Sequence, residues 1–198
     1  MKLQFVYQFL VPAIVSIFAL TSCTVNIDEY RKVNPRLTME GYFNGPLQAW
    51  GMVQNFSGKV IRRFHVEMTG TWKGDKGILD EYFQYSDGET QRRVWSLTKH
   101  DDNRYSGVAD DIVGVANGVA QGNALRWSYV MELPVDDTTY HIKFDDWMYR
   151  INDDIVINRS LMKKFGVSVG EVTIIFQRGK SGHTAESIAA EKTSIDAN

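Results

Sequence analysis

Cysteine is almost missing from this chain: Cys23 is the single example in 198 residues. One thiol cannot close a disulfide within the chain, so no disulfide framework holds the fold. Histidine is scarce too. His65, His100, His141 and His183 show no metal-ligand spacing, and no second cysteine is present to help them. There is no G-x-S-x-G elbow, and no serine is tied by spacing to a histidine and an aspartate. No cofactor motif occurs. An excess of basic charge is also lacking. The 22 Lys and Arg face 24 Asp and Glu; without residues 1–22, which contain only Lys2, the balance is 21 − 24 = −3. A nucleic-acid partner is not expected, since such proteins present a basic surface. Only four prolines occur, and no long stretch repeats its apolar residues every 3.6 positions, so a helical bundle is excluded.

The apolar residues fall into two arrangements. The first is the N-terminus, where Lys2 precedes a run from Phe5 to Leu20 that is broken by Gln8 and Pro12. That layout is a secretory signal over 1–22, and it falls short of the ~20 apolar residues a spanning helix needs. Leu20-Thr21-Ser22-Cys23 then reads as a bacterial lipobox: Leu, two small residues and the Cys that receives a diacylglycerol. The expectation is a mature chain anchored to membrane lipid through acylated Cys23 rather than spanning the bilayer. Thr24, not Asp, follows it, which by the familiar sorting rule points to the outer membrane, facing the periplasm. Residues 23–37 are polar and read as a tether, and 179–198 as a flexible polar tail.

The second arrangement, over 38–178, alternates apolar and polar residues, with Gly, Asn and Asp punctuating it about every ten positions. Strands are expected at 47–55, 59–72, 77–86, 89–99, 104–109, 112–121, 124–133, 138–149, 154–158 and 168–178, with one helical turn near Arg159–Lys164. Eight to ten successive strands point to an all-β fold, an antiparallel up-and-down β-barrel. An open sheet this wide would leave edges exposed. Glycines at 107, 114, 118 and 122 mark bends at barrel corners.

Side chains alternate faces along a strand, so parity predicts which point inward. The face of 59–72 with Phe64, Val66 and Met68 carries Arg62. The face with Leu79, Phe83 and Tyr85 carries Glu81. Arg93 shares a face with Trp95 and Leu97, and Asp146 with Ile142, Phe144 and Met148. Trp127 and Tyr129 point inward with no charge beside them. Buried charge is costly unless paired. Two readings follow: the four charges neutralise one another as a structural network, or they form the polar end of an apolar pocket, where an Arg holds the head of a lipid-like ligand. The doublets Asp110-Asp111 and Asp145-Asp146 place neighbours on opposite faces, so neither is a catalytic pair alone. Asp101-Asp102-Asn103 and Asn152-Asp153-Asp154 read as turns before they read as calcium loops.

Four segments carry a resemblance: GYFNGPLQAWGMVQNFSGKVIRRF (41–64), GTWKGDKGILDEYFQYSDGETQRRVW (70–95), GVADDIVGVANGVAQGNALRWSYVMELPV (107–135) and FDDWMYRINDDIVINRSLMKKFGVSVGEVTIIF (144–176). With the lipobox they resemble the DUF3833 family of bacterial lipoproteins, whose function is uncharacterised. The resemblance implies a lipocalin-like or calycin-like barrel and, by extension, a hydrophobic ligand. The lipocalin G-x-W opening is not reproduced, since Gly45 and Trp50 are five apart. The leading expectation is an envelope lipoprotein whose barrel binds a fatty acid or phospholipid through residues among Arg62, Glu81, Arg93, Trp95, Trp127, Tyr129 and Asp146. The alternatives are a filled barrel acting in envelope assembly, and a small lipid-modifying enzyme. Cavity volume separates the first two.

Overall fold

A computed structural model describes residues 25–179 except 102, 136 and 137. The signal segment, Cys23 and residues 180–198 of the tail lie outside the described residues.

Ten strands form one antiparallel sheet: β1 (Gly45–Asn55), β2 (Val60–Lys73), β3 (Lys76–Tyr85), β4 (Thr90–Lys99), β5 (Arg104–Val108), β6 (Ala116–Gln121), β7 (Ala124–Val135), β8 (Thr138–Arg150), β9 (Ile155–Lys164) and β10 (Val167–Arg178). Each pairs with its neighbour in sequence, and β10 returns to β1, so the sheet closes into an up-and-down barrel. The closing register runs from Leu47 opposite Arg178 to Asn55 opposite Gly170. Closure leaves no strand at a free end of the sheet, although β4 pairs with β5 only from Ser96 to Lys99. About eight strands suffice for an interior that side chains fill or that holds one small ligand, so ten leave more room.

Two expectations about strand extent are corrected. Arg159–Lys164 is not a helical turn but the second half of β9, paired with β10 from Ile155 opposite Gln177 to Lys164 opposite Val167. The inward face there carries Asn158 and Ser160, buried at 1% and 2% exposure, while Leu161 points outward at 38%. The polar residues face in and the apolar one faces out, so the alternation is inverted. β6 begins at Ala116 rather than 112, and Ile112 makes a single bridge to Met131 from the preceding loop.

The two ends of the barrel differ. One end is closed by residues 25–44, which are seated on the barrel over much of their length. A 3-10 turn at Ile27–Tyr30 sets Tyr30 against Trp147 and Tyr149 on the outer wall. Leu37 N–H then bonds to Gly122 O at 2.7 Å. A four-residue helix α1 (Met39–Tyr42), capped by Thr38 Oγ1 accepting from Gly41 N, enters the barrel. Tyr42 Oη donates to Asp154 O and Phe176 O, and Trp72 Nε1 donates to Phe43 O. Glu40 receives Lys99 Nζ at 3.0 Å and Tyr105 Oη at 2.8 Å.

Strand glycines admit the large rings of the core. A Cβ on Gly118 would stand 2.4 Å from the Trp127 ring, and one on Gly107 would stand 2.9 Å from it. These two are not bends but an alcove for Trp127. Gly114 and Gly122 do sit in turns, with positive φ. Among the described residues, the buried core lies wholly between Leu37 and Phe176. With a sheet closed on itself, the chain from Val25 onward therefore carries a complete core and folds on its own.

Candidate functional site

The barrel encloses a cavity of about 410 Å³. Its floor is Met39 and Phe43 at the plugged end, its waist is ringed by Phe64, Trp95 and Phe144, and it reaches Ile61 and Pro134 at the other end. Those last two are exposed, so the cavity meets solvent there. Ile61 lines it because the β1–β2 register slips at that point, where Val53 faces Arg62 and Gln54 faces Val60. An extra residue in one strand re-aims side chains in this way. The aromatics stand as wall rather than as filling. Trp95 meets Trp127 and Tyr129 edge-on, and Tyr129 stacks on Phe144. A largely apolar, concave space of this size suits a small ligand.

Arg62, Glu81, Arg93 and Asp146 all point inward, yet they do not form one network. Arg62 sits toward the open end, with its guanidinium 3.5 Å over the Tyr85 ring. It is held by Asp87 at 2.7 Å and Glu89 at 2.5 Å from the β3–β4 turn. Arg93, with an 11% exposed side chain, makes a two-pronged contact with Asp111, Nε at 2.9 Å and an Nη at 2.6 Å. Glu81 is a more distant partner, 3.7 Å away. Parity could not foresee Asp111, because its side chain comes from the β5–β6 loop and not from a strand. Asp146 belongs to a second cluster, with Ser160 donating to it and with hydrogen bonds from Tyr129 and Asn158. Asn158 and Ser160 were illegible in the sequence because their half of β9 lacks the expected alternation.

The electrostatics of the two clusters differ. Burial pushes the Glu81 carboxyl up to about 7, against the pull of the Arg93 charge, and Asp111 adds to the rise. Burial likewise raises Asp146 to about 7, with Ser160 and Tyr129 opposing. Glu81 Oε2 and Asn158 Oδ1 are buried without a hydrogen-bond partner. Both residues line the cavity. Arg93 is committed to Asp111, whereas Arg62 Nε, though 2.7 Å from Asp87, is also buried without a hydrogen bond, so the spare atoms at the wall are two acceptors and one donor. The companion Asp145 faces outward onto Arg126 at 2.7 Å. The Asp101 and Asn152 segments are self-satisfied turns. No group of three metal-ligating side chains is found among the described residues, nor is any helix there long and apolar enough to cross a membrane.

The family described as protein of unknown function (DUF3833) matches residues 17–178. The chain belongs to the DUF3833 family. No curated protein matches it. Among solved structures it is similar to the S-type phycobiliprotein lyase CPES from Guillardia theta. The TM-score is 0.51 at 13% identity, over 74% of this chain and 95% of that one. An odorant binding protein, OBP1, gives a TM-score of 0.34 at 15% identity, over 83% and 89%. The closed antiparallel barrel and the likeness in fold to the lyase agree with the lipocalin-like fold that the strand pattern and the resemblance imply.

Proposed function

We propose that this DUF3833 protein binds one hydrophobic or amphipathic molecule inside its barrel, in the cell envelope. The observation that carries the reading is the cavity itself, about 410 Å³, with a largely apolar wall, Met39 and Phe43 at the plugged end and exposed Ile61 and Pro134 at the other. A filled barrel would have left no such space. The sequence expectation of an Arg clamping an anionic head is refined by the ion pairs. Arg62 and Arg93 already hold carboxylates, and the unsatisfied atoms at the wall are the acceptors Glu81 Oε2 and Asn158 Oδ1 and the donor Arg62 Nε. Two of these three atoms are acceptors and one is a donor, so a head group that both donates and accepts hydrogen bonds fits best: a hydroxyl, an amine, or a fatty acid in its protonated form. A fatty-acid or phospholipid anion would face uncompensated acceptors.

The anchor completes the reading. Val25 lies two residues after Cys23, a span of at most about 7 Å. The segment that follows is seated at the plugged end. An acyl chain on Cys23 then holds the plugged end beside the outer membrane, facing the periplasm, with the mouth pointing away. Intact mass of the protein purified from its envelope tests this: Cys23→Ala should lose the acyl mass and leave the membrane fraction after a high-salt wash, and unchanged mass and partitioning would refute it. For the cavity, lipid extraction and native mass spectrometry of the chain from Val25 should show one apolar molecule per barrel. Neither a bound lipid nor uptake of a fluorescent fatty acid at any pH would refute the binding reading.

A second reading is favoured by one observation, the two carboxyls near 7 at the wall of a cavity, where acid–base groups of enzymes are tuned. It requires turnover of a lipid that Glu81→Gln and Asp146→Asn abolish while the ligand still binds.

A further inference from the structure

The turn between β9 and β10 breaks a local rule without benefit to the fold. Lys164 pairs with Val167, so the loop is the two residues Phe165 and Gly166. Both have positive φ, 52° and 81°. That is the type I′ hairpin, whose first position favours Asn, Asp or Gly. A bulky residue there is strained. Phe165 is 95% exposed, so no core burial offsets the strain. The neighbouring hairpin also exposes an aromatic, without the backbone strain: Phe56, in the β1–β2 turn, is 83% exposed. β1 and β10 are paired, with Asn55 opposite Gly170, so the two tips project from the same edge of the barrel. Phe165, five residues beyond that pair, reaches up to about 16 Å past it at ~3.3 Å per residue. This edge is the mouth of the cavity. Val60, Ile61, Val167 and Val169 add exposed apolar surface around the two rings.

Among the described residues, lysines flank both tips. Lys59 follows Phe56, Lys164 precedes Phe165 with its ammonium 3.7 Å over the Tyr140 ring, and Lys143 stands opposite Lys163 on the wall. Lys163 is 3.6 Å from Asp145 and is compensated. Among the described residues, the acids on the β3–β4 turn, which adjoins the Phe56 tip, are Asp87 and Glu89, and Arg62 pairs with both.

We infer that the Phe56 and Phe165 tips are a docking device for a lipid bilayer bearing anionic head groups, placed so that the cavity mouth opens onto it. A protein partner needs about 1,000 Å² of continuous complementary surface, and two rings on separate hairpin tips do not supply it. A bilayer accepts isolated aromatic insertions, with lysines staying at the head groups. Docking needs no occupant in the cavity and stands apart from ligand binding. If Cys23 carries the anchor, the docked bilayer is a second surface, since anchor and mouth are at opposite ends.

The test is co-sedimentation of the chain from Val25 with phosphatidylcholine vesicles, with and without phosphatidylglycerol, at low and high salt. Binding should require phosphatidylglycerol and weaken with salt. F165N places the preferred residue in the turn, so its melting temperature should rise by about 2–4 °C, while vesicle affinity falls about tenfold. F56S should give a similar loss of affinity, K59E with K164E a larger one, and none should change uptake of an apolar dye by the cavity. A structural role for Phe165 predicts the opposite sign in F165N, lower stability. Unchanged vesicle binding in F165N/F56S, equal binding to pure phosphatidylcholine, or concentration-dependent self-association through the tips would each overturn the inference.

Discussion

Raising the pH from about 5 to about 8 should destabilise this protein, against the usual trend for a carboxylate-rich chain. Glu81 and Asp146 rise from 4.5 and 3.8 to about 7 in the folded state. Their folded forms therefore hold protons that the unfolded chain has released. Stability from a raised group is fully present below its unfolded pKa and is lost as pH rises through the folded one. Between about pH 5 and pH 7 each carboxyl contributes two pH units, about 2–3 kcal/mol at 1.36 kcal/mol per unit. The two sit in one cavity and interact, so the joint loss is on the order of 3–5 kcal/mol rather than a simple sum. The carboxyls pulled down by partners act in a different window. Asp80, beside Arg92, and Asp101, lowered to about 2 by backbone donors, lose their stabilisation only as pH falls below about 4. Urea unfolding of the chain from Val25 at a series of pH values reads the slope directly. Glu81→Gln should flatten roughly half of it and raise stability at pH ~8 by about 2 kcal/mol, because it removes a poorly paired buried charge. A stability that is level or rises from pH ~5 to ~8, or a slope unchanged in Glu81→Gln, would refute this electrostatic account.

Other perturbations have definite expected outcomes. Arg93→Met leaves Asp111 and Glu81 without their cation and should cost about 3–5 kcal/mol in chemical denaturation. Gly118→Ala puts a Cβ 2.4 Å from the Trp127 ring and should cost about 1–3 kcal/mol, with a changed tryptophan emission spectrum. Tyr42→Phe removes the hydroxyl that serves Asp154 O and Phe176 O, and should cost about 1–3 kcal/mol; faster hydrogen exchange at the plugged end checks it.

The sequence carries the architecture because a closed antiparallel meander shows itself strand by strand. β2, β3, β4, β7 and β8 alternate cleanly, and their inward parity places Glu81, Arg93, Trp95, Trp127 and Asp146 inside, where the structure has them. Parity fails where the inner face is polar. Asn158 and Ser160 point in and Leu161 points out, so β9 reads as half strand and half helix. It also cannot see partners that arrive from loops. Asp111 holds Arg93 from the β5–β6 loop, and Asp87 with Glu89 holds Arg62 from a turn. The plug was illegible for a similar reason. Leu37, Met39 and Tyr42 are spaced like any polar-segment apolar residues, and only the closed barrel shows the end they fill.

The claim that most needs a direct measurement is that the interior takes up a ligand. The chain from Val25 is titrated with an apolar fluorescent probe, then with a long-chain alcohol, amine and fatty acid of equal length, following Trp95 and Trp127 emission. The account predicts one site per barrel, with the alcohol and amine displacing the probe at neutral pH and the fatty acid doing so increasingly as pH falls. Met162→Trp, which adds a ring beside the cavity, should reduce uptake while leaving the fold intact. Saturable binding unaffected by Met162→Trp, or no binding of any of the four, would contradict it.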